Sequence, residues 1–296
     1  MLIYGLETQS VLPYSVINKN VINHRLLDTR MLENLEANEA MIRLGVFASL
    51  LLSLMMAEAL WPRKNRVETR RRRWSTNIAI TVIDAIALRV LIPLAAIGVA
   101  ALSTKNGWGV FNLIDIPDWA ILVLSLILLD MAIYWQHVAT HRIPILWRLH
   151  KVHHVDRDVD VTTAVRFHPI EICISMLYKM IIVLALGVPV IAVILFEVIL
   201  NGCALFNHSN IRLPHIVDRI LRPFIVTPDM HRVHHSTHPH ETNSNYGFSL
   251  SLWDRIFGTY IAQPQDGHNA MTIGLSEHQT DKPQNLFWTL TLPFKK

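Results

Sequence analysis

Four apolar runs constrain what this chain can fold into more than any other feature of the sequence. Residues 41–61, 78–101 and 118–136 each supply about the 20 apolar residues that a helix needs to cross a bilayer. Hydrophobic residues make up 51% of the chain and charged residues only 17%. The sequence therefore predicts an all-α integral membrane protein rather than a soluble enzyme.

The fourth run, residues 172–206, is too long for a single crossing. Gly187 and Pro189 lie near its middle, and both residue types interrupt helices. A single crossing would also separate the histidines on either side of the run by more than about 30 Å. We therefore expect a hairpin with arms of about 14 and 17 residues, near the lower limit for crossing. The whole chain is predicted to have about four transmembrane helices, the last pair being this hairpin, and a cytoplasmic helical cap over 207–296.

Basic residues predict the orientation of the chain in its membrane. Seven of them lie between residues 63 and 73, against Lys105 alone between the second and third runs. Because cytoplasmic loops are enriched in lysine and arginine, this loop and the end of the third run should face the cytoplasm. We interpret the basic cluster as a topology determinant or an anionic-lipid contact, not a nucleic-acid surface. Residues 1–40 are interpreted as an N-terminal extension and 41–296 as one domain, placed as a multi-pass protein in a bacterial inner membrane.

Histidines are concentrated in two short parts of the sequence. Six of the 16 lie between residues 137 and 168, and seven lie between 208 and 240. Intervals of three and four residues place imidazoles on one face of a helix. Such intervals form one HxxxH and two HxxHH motifs, at His137 and His141, at His150, His153 and His154, and at His231, His234 and His235.

These motifs predict a metal site with nitrogen ligands. The two cysteines, Cys173 and Cys203, lie in apolar runs and form no CxxC motif. Eight or nine histidines exceed the four positions of one tetrahedral zinc and fit two metal ions that keep room for a further ligand. Imidazole binds iron, zinc, copper and nickel, so the ligand type alone does not name the metal.

Other polar residues near the motifs are candidates for supporting the ligands, because metal-bound imidazoles donate their second ring N–H to an acceptor. Asp130 precedes His137 by seven residues on the same helix face. It either supports that imidazole or makes an ordinary interhelical hydrogen bond. The remaining candidates are Asp156, His168, Asp229 and Glu241. The three acids among them are alternatively solvated groups with no supporting role.

The motifs resemble those of the sterol desaturase / fatty acid hydroxylase superfamily, whose members carry HxxxH, HxxHH and HxxHH at these spacings. The resemblance covers about residues 118–262, including RFHP at 166–169, FNHSN at 206–210, NYG at 245–247 and WDRIFGTY at 253–260. It implies a four-span membrane enzyme in which two iron ions and O₂ hydroxylate or desaturate a lipid. The ligands that it implies, with His208 as the ninth, are His137, His141, His150, His153, His154, His208, His231, His234 and His235.

The sequence also bears on the electron donor and on rival functions. It contains no CxxCH, no GxGxxG and no cysteine cluster, so electrons should come from a separate carrier of the ferredoxin or cytochrome b5 type. A divalent metal transporter is the main alternative, with ions bound near the bilayer midplane. A bis-histidine haem protein is a third possibility and needs facing histidines inside two spans. The motifs lie at or beyond the predicted helix ends, which favours the enzyme.

Overall fold

Helices account for all the regular structure in residues 29–295, the part of the chain that the computed structural model describes; β-pairing there is limited to isolated bridges. Among these described residues, five stretches are long and apolar enough to cross a membrane: Met41–Leu60, Arg70–Asn112, Asp118–Arg142, Pro169–Leu186 and Val190–His208. The predicted all-helical architecture is confirmed for this part of the chain, with five candidate membrane spans where about four were expected. The predicted N-terminal extension lies outside the described residues as far as residue 28.

In the described residues, 29–295, seven longer helices precede six short ones. The longer helices are α1 (Thr29–Leu60), α2 (Arg70–Leu91), α3 (Ala95–Asn106), α4 (Asp118–Arg142), α5 (Pro144–His154), α6 (Pro169–Leu186) and α7 (Val190–His208). The short ones are α8 (His215–Leu221), α9 (Pro228–His234), α10 (Pro239–Thr242), α11 (Leu252–Ile256), α12 (Gly267–Ala270) and α13 (Leu286–Thr291).

The second apolar run, expected to be one helix over 78–101, is broken at Pro93. Proline has no backbone N–H and disfavours helical geometry in the residue before it, so α2 ends at Leu91. The chain then turns through Ala95, whose φ is +49°, and continues as α3. The break separates α2 from α3 within the 43-residue stretch Arg70–Asn112, which ends in a short 3-10 turn after α3.

The break predicted in the fourth run is present. Helix α6 ends at Leu186, Gly187 adopts a left-handed φ of +71°, and Pro189 immediately precedes α7. The two helices contain 18 and 19 residues and are longer than the expected arms, because α6 already begins at Pro169 and α7 continues to His208. A close contact secures the turn, since a Cβ added to Gly109 would lie only 2.1 Å from the Gly187 nitrogen.

A buried apolar cluster joins these helices away from the histidines. It includes Ala96 and Ala100 of α3, Leu129 of α4, Val183 of α6 and Phe196 of α7. The small side chains of α3 let its backbone approach α6 and α7 closely, as in other helix contacts within membranes. This packing fixes α4, which carries HxxxH, relative to α7, which ends at His208.

Part of the basic cluster has a structural role that the sequence analysis did not assign. Arg73 is fully buried and binds both carboxylate oxygens of Asp156, at 2.8 Å each, and Asp160 at 2.6 Å. Arg63 pairs with Asp229 at 3.0 Å. Arg72, by contrast, is exposed. The start of α2 is therefore joined by ion pairs to the segment after the first HxxHH motif, and the preceding loop is joined to the first turn of α9, just before the second.

Candidate metal centre

The nine histidines named from the sequence meet at one end of the helices in two groups. Within each group, ligand-capable ring atoms lie within 4.8 Å of one another, and all the side chains are buried except that of His141, which is half-buried. The five-histidine group consists of His137, His141, His150, His154 and His234. The four-histidine group consists of His153, His208, His231 and His235.

The helical periodicity of the motifs explains this division. In α5, His150 and His154 are four residues apart and enter the five-histidine group, while His153 faces the other group. The second HxxHH motif, which begins on α9 and ends at His235 directly after it, is also divided between the two groups. The groups adjoin each other, since the ring centroids of His154 and His235 are 4.6 Å apart. Each HxxHH motif therefore contributes to both groups.

Proline positions the two short helices that carry these motifs. Pro144 occupies the first turn of α5, directly after the extended residue Ile143 that ends α4. Pro228 opens α9 in the same way. Proline is suited to the first position because its φ is already helical and no N–H is needed there. The chain thus turns sharply after HxxxH and brings the next motif back to it.

In the five-histidine group, three imidazoles donate Nδ1–H outward. His137 donates to the Tyr246 carbonyl at 2.7 Å and His234 to the Ser244 carbonyl at 2.7 Å. His150 Nδ1 lies 2.6 Å from Glu171 Oε1. A neutral imidazole carries one proton, so these Nε2 atoms offer lone pairs. The buried Nε2 atoms that lack a hydrogen-bond partner belong to all five members, His137, His141, His150, His154 and His234.

In the four-histidine group, the Nε2 atoms converge. His208 Nε2 lies 3.1 Å from that of His153 and 2.9 Å from that of His231, which is 3.3 Å from that of His235. The Nδ1 atoms of His153 and His208 already donate to backbone carbonyls. Their Nε2 atoms therefore face each other with lone pairs, which repel unless a cation lies between them.

These separations fit a metal ion. Two imidazole nitrogens at about 2.1 Å from one ion lie about 3.0 Å apart at a right angle and about 3.4 Å apart in a tetrahedron. The three observed separations, 2.9, 3.1 and 3.3 Å, fall in or next to that interval. The residues present can thus hold one ion in each group.

Burial keeps the imidazoles in the form that binds metals. It lowers the pKa of His153, His154, His231 and His235 well below the usual value, and neighbouring imidazoles lower it further. Burial also lowers the pKa of His234 to about 3. At neutral pH these side chains are neutral, which is the state required of a histidine ligand.

The Glu171 carboxylate contacts His150 of the five-histidine group, and this contact was not predicted from the sequence. It lies in the first turn of α6, buried, with its second oxygen lacking a hydrogen-bond partner. Pro169 fixes the start of that helix and so places Glu171 beside His150. The available clue was a single acid directly before the fourth apolar run, two residues after a proline.

The proposed supporting residues bind other groups. Asp130 accepts from Trp253 Nε1 at 2.8 Å, and Asp156 binds Arg73. His168 caps α6 by accepting from Ile170 N, and its other nitrogen lies 3.2 Å from the Leu290 carbonyl. The last two candidates lie further along the chain: Asp229 binds Arg63 and Arg232, and Glu241 accepts from Gln265 N. Any effect of these five residues on the histidines is therefore indirect.

A C-terminal segment, residues 282–294, helps to hold His153. The Arg166 carbonyl accepts from His153 Nδ1 at 3.2 Å. The guanidinium of this fully buried arginine donates to the Pro283 carbonyl at 2.8 Å and to Asn77 at 2.7 Å. The segment thus supplies a hydrogen-bond acceptor to the guanidinium of Arg166, the residue whose carbonyl orients His153.

The NYG and WDRIFGTY sequences together hold His137. Asp254 accepts from the backbone N–H groups of Tyr246 and Gly247 at 2.7 and 2.8 Å. Asn245, with a φ of +49°, donates to the carbonyls of Met230 and Ile261. These contacts fix the turn whose Tyr246 carbonyl accepts from His137.

The chain is similar to a known protein family and to several named proteins. The profile of the Fatty acid hydroxylase family matches residues 122–259, a range that includes all nine histidines. Alkylglycerol monooxygenase of Xenopus tropicalis is 29% identical over 64% of this chain and 42% of its own length. Ornithine lipid hydroxylase OlsE of Rhizobium tropici is 28% identical over 74% of this chain and 67% of its own.

A third named protein is also similar to this chain. Lathosterol oxidase of Mus musculus is 28% identical over 58% of this chain and 57% of its own length. The chain thus spans between 42% and 67% of the length of these relatives. No solved structure gives a significant match.

Proposed function

Because the chain belongs to the sterol desaturase / fatty acid hydroxylase superfamily, we propose that it is a membrane oxidoreductase that uses O₂ and two iron ions to hydroxylate or desaturate a lipid. The observation that carries this proposal is the convergence of nine histidines into two adjoining groups. A ligand set of imidazoles suits divalent ions of the first transition row, and family membership narrows the choice to iron.

The protein's own contribution is to orient the ligands and to exclude water. Two ferrous ions held by the groups would supply the reduction of O₂ and the removal of hydrogen from an unactivated C–H bond. Backbone carbonyls of Arg166, Ser244 and Tyr246 fix the imidazoles by accepting their outward N–H groups. The Glu171 carboxylate adds a negative charge on the five-histidine side, which offsets part of the charge of a bound cation.

We propose a lipid substrate and a separate electron donor. By their names, the relatives act on an alkylglycerol, an ornithine lipid and lathosterol, all of which are lipids. A lipid in the bilayer could reach the histidine end of the helices without passing through water. The sequence has only two cysteines, so it supplies no ligand set for an iron–sulfur cluster, and a ferredoxin or cytochrome b5 type of carrier would deliver the electrons.

The active site is proposed to face the cytoplasm of a multi-pass membrane protein, with α6 and α7 forming a hairpin. Glu171 near the start of α6 and His208 at the end of α7 both reach the histidine groups. A transporter would place its ions near the middle of the spans. Here His137, His141 and His208 lie at the ends of α4 and α7, so the geometry favours the enzyme.

Metal analysis of the purified protein tests the centre. The wild-type chain should contain about two iron atoms, since each group fits one ion. His153→Ala and His234→Ala, one from each group, should each lose metal as well as turnover. His238→Ala is the matched control, because His238 binds Asp266 outside both groups. Retention of both iron atoms by both group variants would contradict the site.

Lipid analysis tests the reaction. Mass spectrometry should show, in cells that lack the protein, loss of a lipid bearing one added oxygen or one extra double bond. Re-expression of the wild-type chain should restore that lipid, whereas His234→Ala should not. An unchanged lipid profile, together with a purified protein that loses no iron in the variants, would contradict the proposed function.

A further inference from the structure

Part of the chain after α7 packs beside α4 at the level of the middle of that helix. Asp130 lies midway along the 25 residues of α4. Its carboxylate accepts from Trp253 Nε1 at 2.8 Å and from Leu250 N at 3.2 Å. Nearer the histidine end of α4, the Tyr134 hydroxyl lies 2.9 Å from Thr259 Oγ1. Residues 250–259 therefore run alongside α4 and do not simply cover its end.

The position of Asp130 places these contacts at membrane depth. It precedes the last residue of α4, Arg142, by 12 residues, or about 18 Å of helix. Half of the hydrocarbon thickness of a bilayer is about 15 Å. Since α4 is long and apolar enough to span a membrane, the partners of Asp130 lie below the level of the lipid headgroups.

The same part of the chain exposes large apolar side chains. Phe224 is 68% exposed. Two backbone hydrogen bonds join its surroundings to the segment beside α4: Ser251 N donates to the Phe224 carbonyl, and Val226 N donates to the Ser249 carbonyl. The apolar face is the name given to the exposed apolar residues of α8, of α11 and of the chain between α8 and α9. They are Ile216, Ile220, Phe224, Leu252 and Ile256. Single exposed apolar side chains are ordinary on a soluble protein, but several large ones in segments joined by hydrogen bonds indicate an interaction surface.

Basic residues accompany this face. Arg219 on α8 and Arg255 on α11 are exposed, as is Arg212 just before α8. Arginine side chains can extend from apolar surroundings to lipid phosphates, and basic residues near a membrane surface are attracted to anionic lipids. The charge therefore complements a lipid headgroup layer next to the acyl chains.

We propose that the apolar face is embedded in the leaflet at the histidine end of α4, in contact with lipid acyl chains. The region after α7, expected from the sequence to be a cytoplasmic cap, then has a part that lies within the bilayer without crossing it. Asp254, which orients the turn that holds His137, belongs to the same short helix as Leu252 and Ile256. The support of the five-histidine group thus lies beside lipid.

Spin labels can measure the depth of this face directly. Cys173 and Cys203 are first replaced by serine, and single cysteines are introduced as Ile220→Cys, Phe224→Cys and Ile256→Cys. The full chain is labelled and reconstituted in vesicles of phosphatidylcholine and phosphatidylglycerol. Power saturation then compares accessibility to O₂, which partitions into the bilayer, with accessibility to a water-soluble nickel chelate.

Two labelled controls calibrate the result. Ile127→Cys, exposed on α4, reports the hydrocarbon, and Glu277→Cys, exposed in the polar C-terminal region, reports water. The three labels on the apolar face should resemble Ile127→Cys, with an O₂-to-nickel accessibility ratio several-fold above that of Glu277→Cys. Ratios like that of Glu277→Cys would overturn the proposal. Poor access of both reagents would also overturn it, because it would place the face against protein. Neither outcome depends on iron content or turnover.

Discussion

Replacing Glu171 with alanine should weaken metal binding in the five-histidine group. Glu171 Oε1 lies 2.6 Å from His150 Nδ1, and both side chains are buried. This carboxylate restricts the rotation of the imidazole and makes its Nε2 a stronger ligand. Loss of such a partner typically reduces metal affinity by about 10- to 100-fold. That change corresponds to about 1.4–2.7 kcal/mol, similar to the worth of a hydrogen bond to a charged group.

The charge and the geometry of Glu171 can be separated with a second substitution. Glu171→Gln keeps an oxygen that can accept from His150 but removes the negative charge, so its affinity should fall between those of Glu171→Ala and the wild type. Glu277→Ala removes an exposed acid and is the control. Metal affinity is measured by competition with a graded series of chelators, with the metal content read by mass spectrometry.

The outcome should be specific to one ion. Chelator challenge of Glu171→Ala should remove about one metal per chain before the second, since each group fits one ion and the carboxylate contacts only the five-histidine side. Affinities equal to those of the wild type and of Glu277→Ala would refute the idea that the carboxylate supports His150. Simultaneous loss of both metals would show that Glu171 maintains the fold as a whole.

Two further predictions concern stability and can be checked by thermal unfolding in detergent. Arg73→Ala removes the arginine that binds two buried carboxylates and should cost about 3–5 kcal/mol, whereas Arg72→Ala, at an exposed neighbour, should change stability by less than about 0.5 kcal/mol. Equal effects would mean that the buried pairing contributes little. Gly109→Ala should destabilise more than Gly107→Ala: both have positive φ, but only at Gly109 would the added Cβ collide with the backbone of Gly187.

Local sequence patterns predicted that the eight motif histidines are candidate ligands, because the relevant geometry is local, whereas His208 was added by the resemblance to the superfamily. Spacings of three and four residues place histidines on one side of α5 and of α9, whatever the rest of the chain does. The division of each motif between two groups follows from the same periodicity. The partner of His150 was not predictable in this way, since Glu171 meets it through the packing of α6 against α5.

Long-range ion pairs explain what the sequence did not indicate about the basic cluster. Arg73 and Asp156 are 83 residues apart, and Arg63 and Asp229 are 166 apart. The sequence of a loop shows its charge but not the residues with which its charged side chains pair. The available interpretation was therefore that the basic cluster marks the cytoplasmic side of the membrane. The break at Pro93, by contrast, was visible in the sequence, because proline interrupts helices there as Gly187 and Pro189 do in the fourth run.

The C-terminal segment also bears on the order of events during synthesis. Arg166 orients His153, and its guanidinium is bound by the Pro283 carbonyl and by Thr289. The ribosome reaches these two residues only after it has translated all nine histidines. Until then a buried guanidinium lacks two of its acceptors, and the four-histidine group lacks part of its support. Stable loading of that group with metal is therefore expected to follow translation, so that the completed chain, still without metal, is the form to which a metal ion would bind.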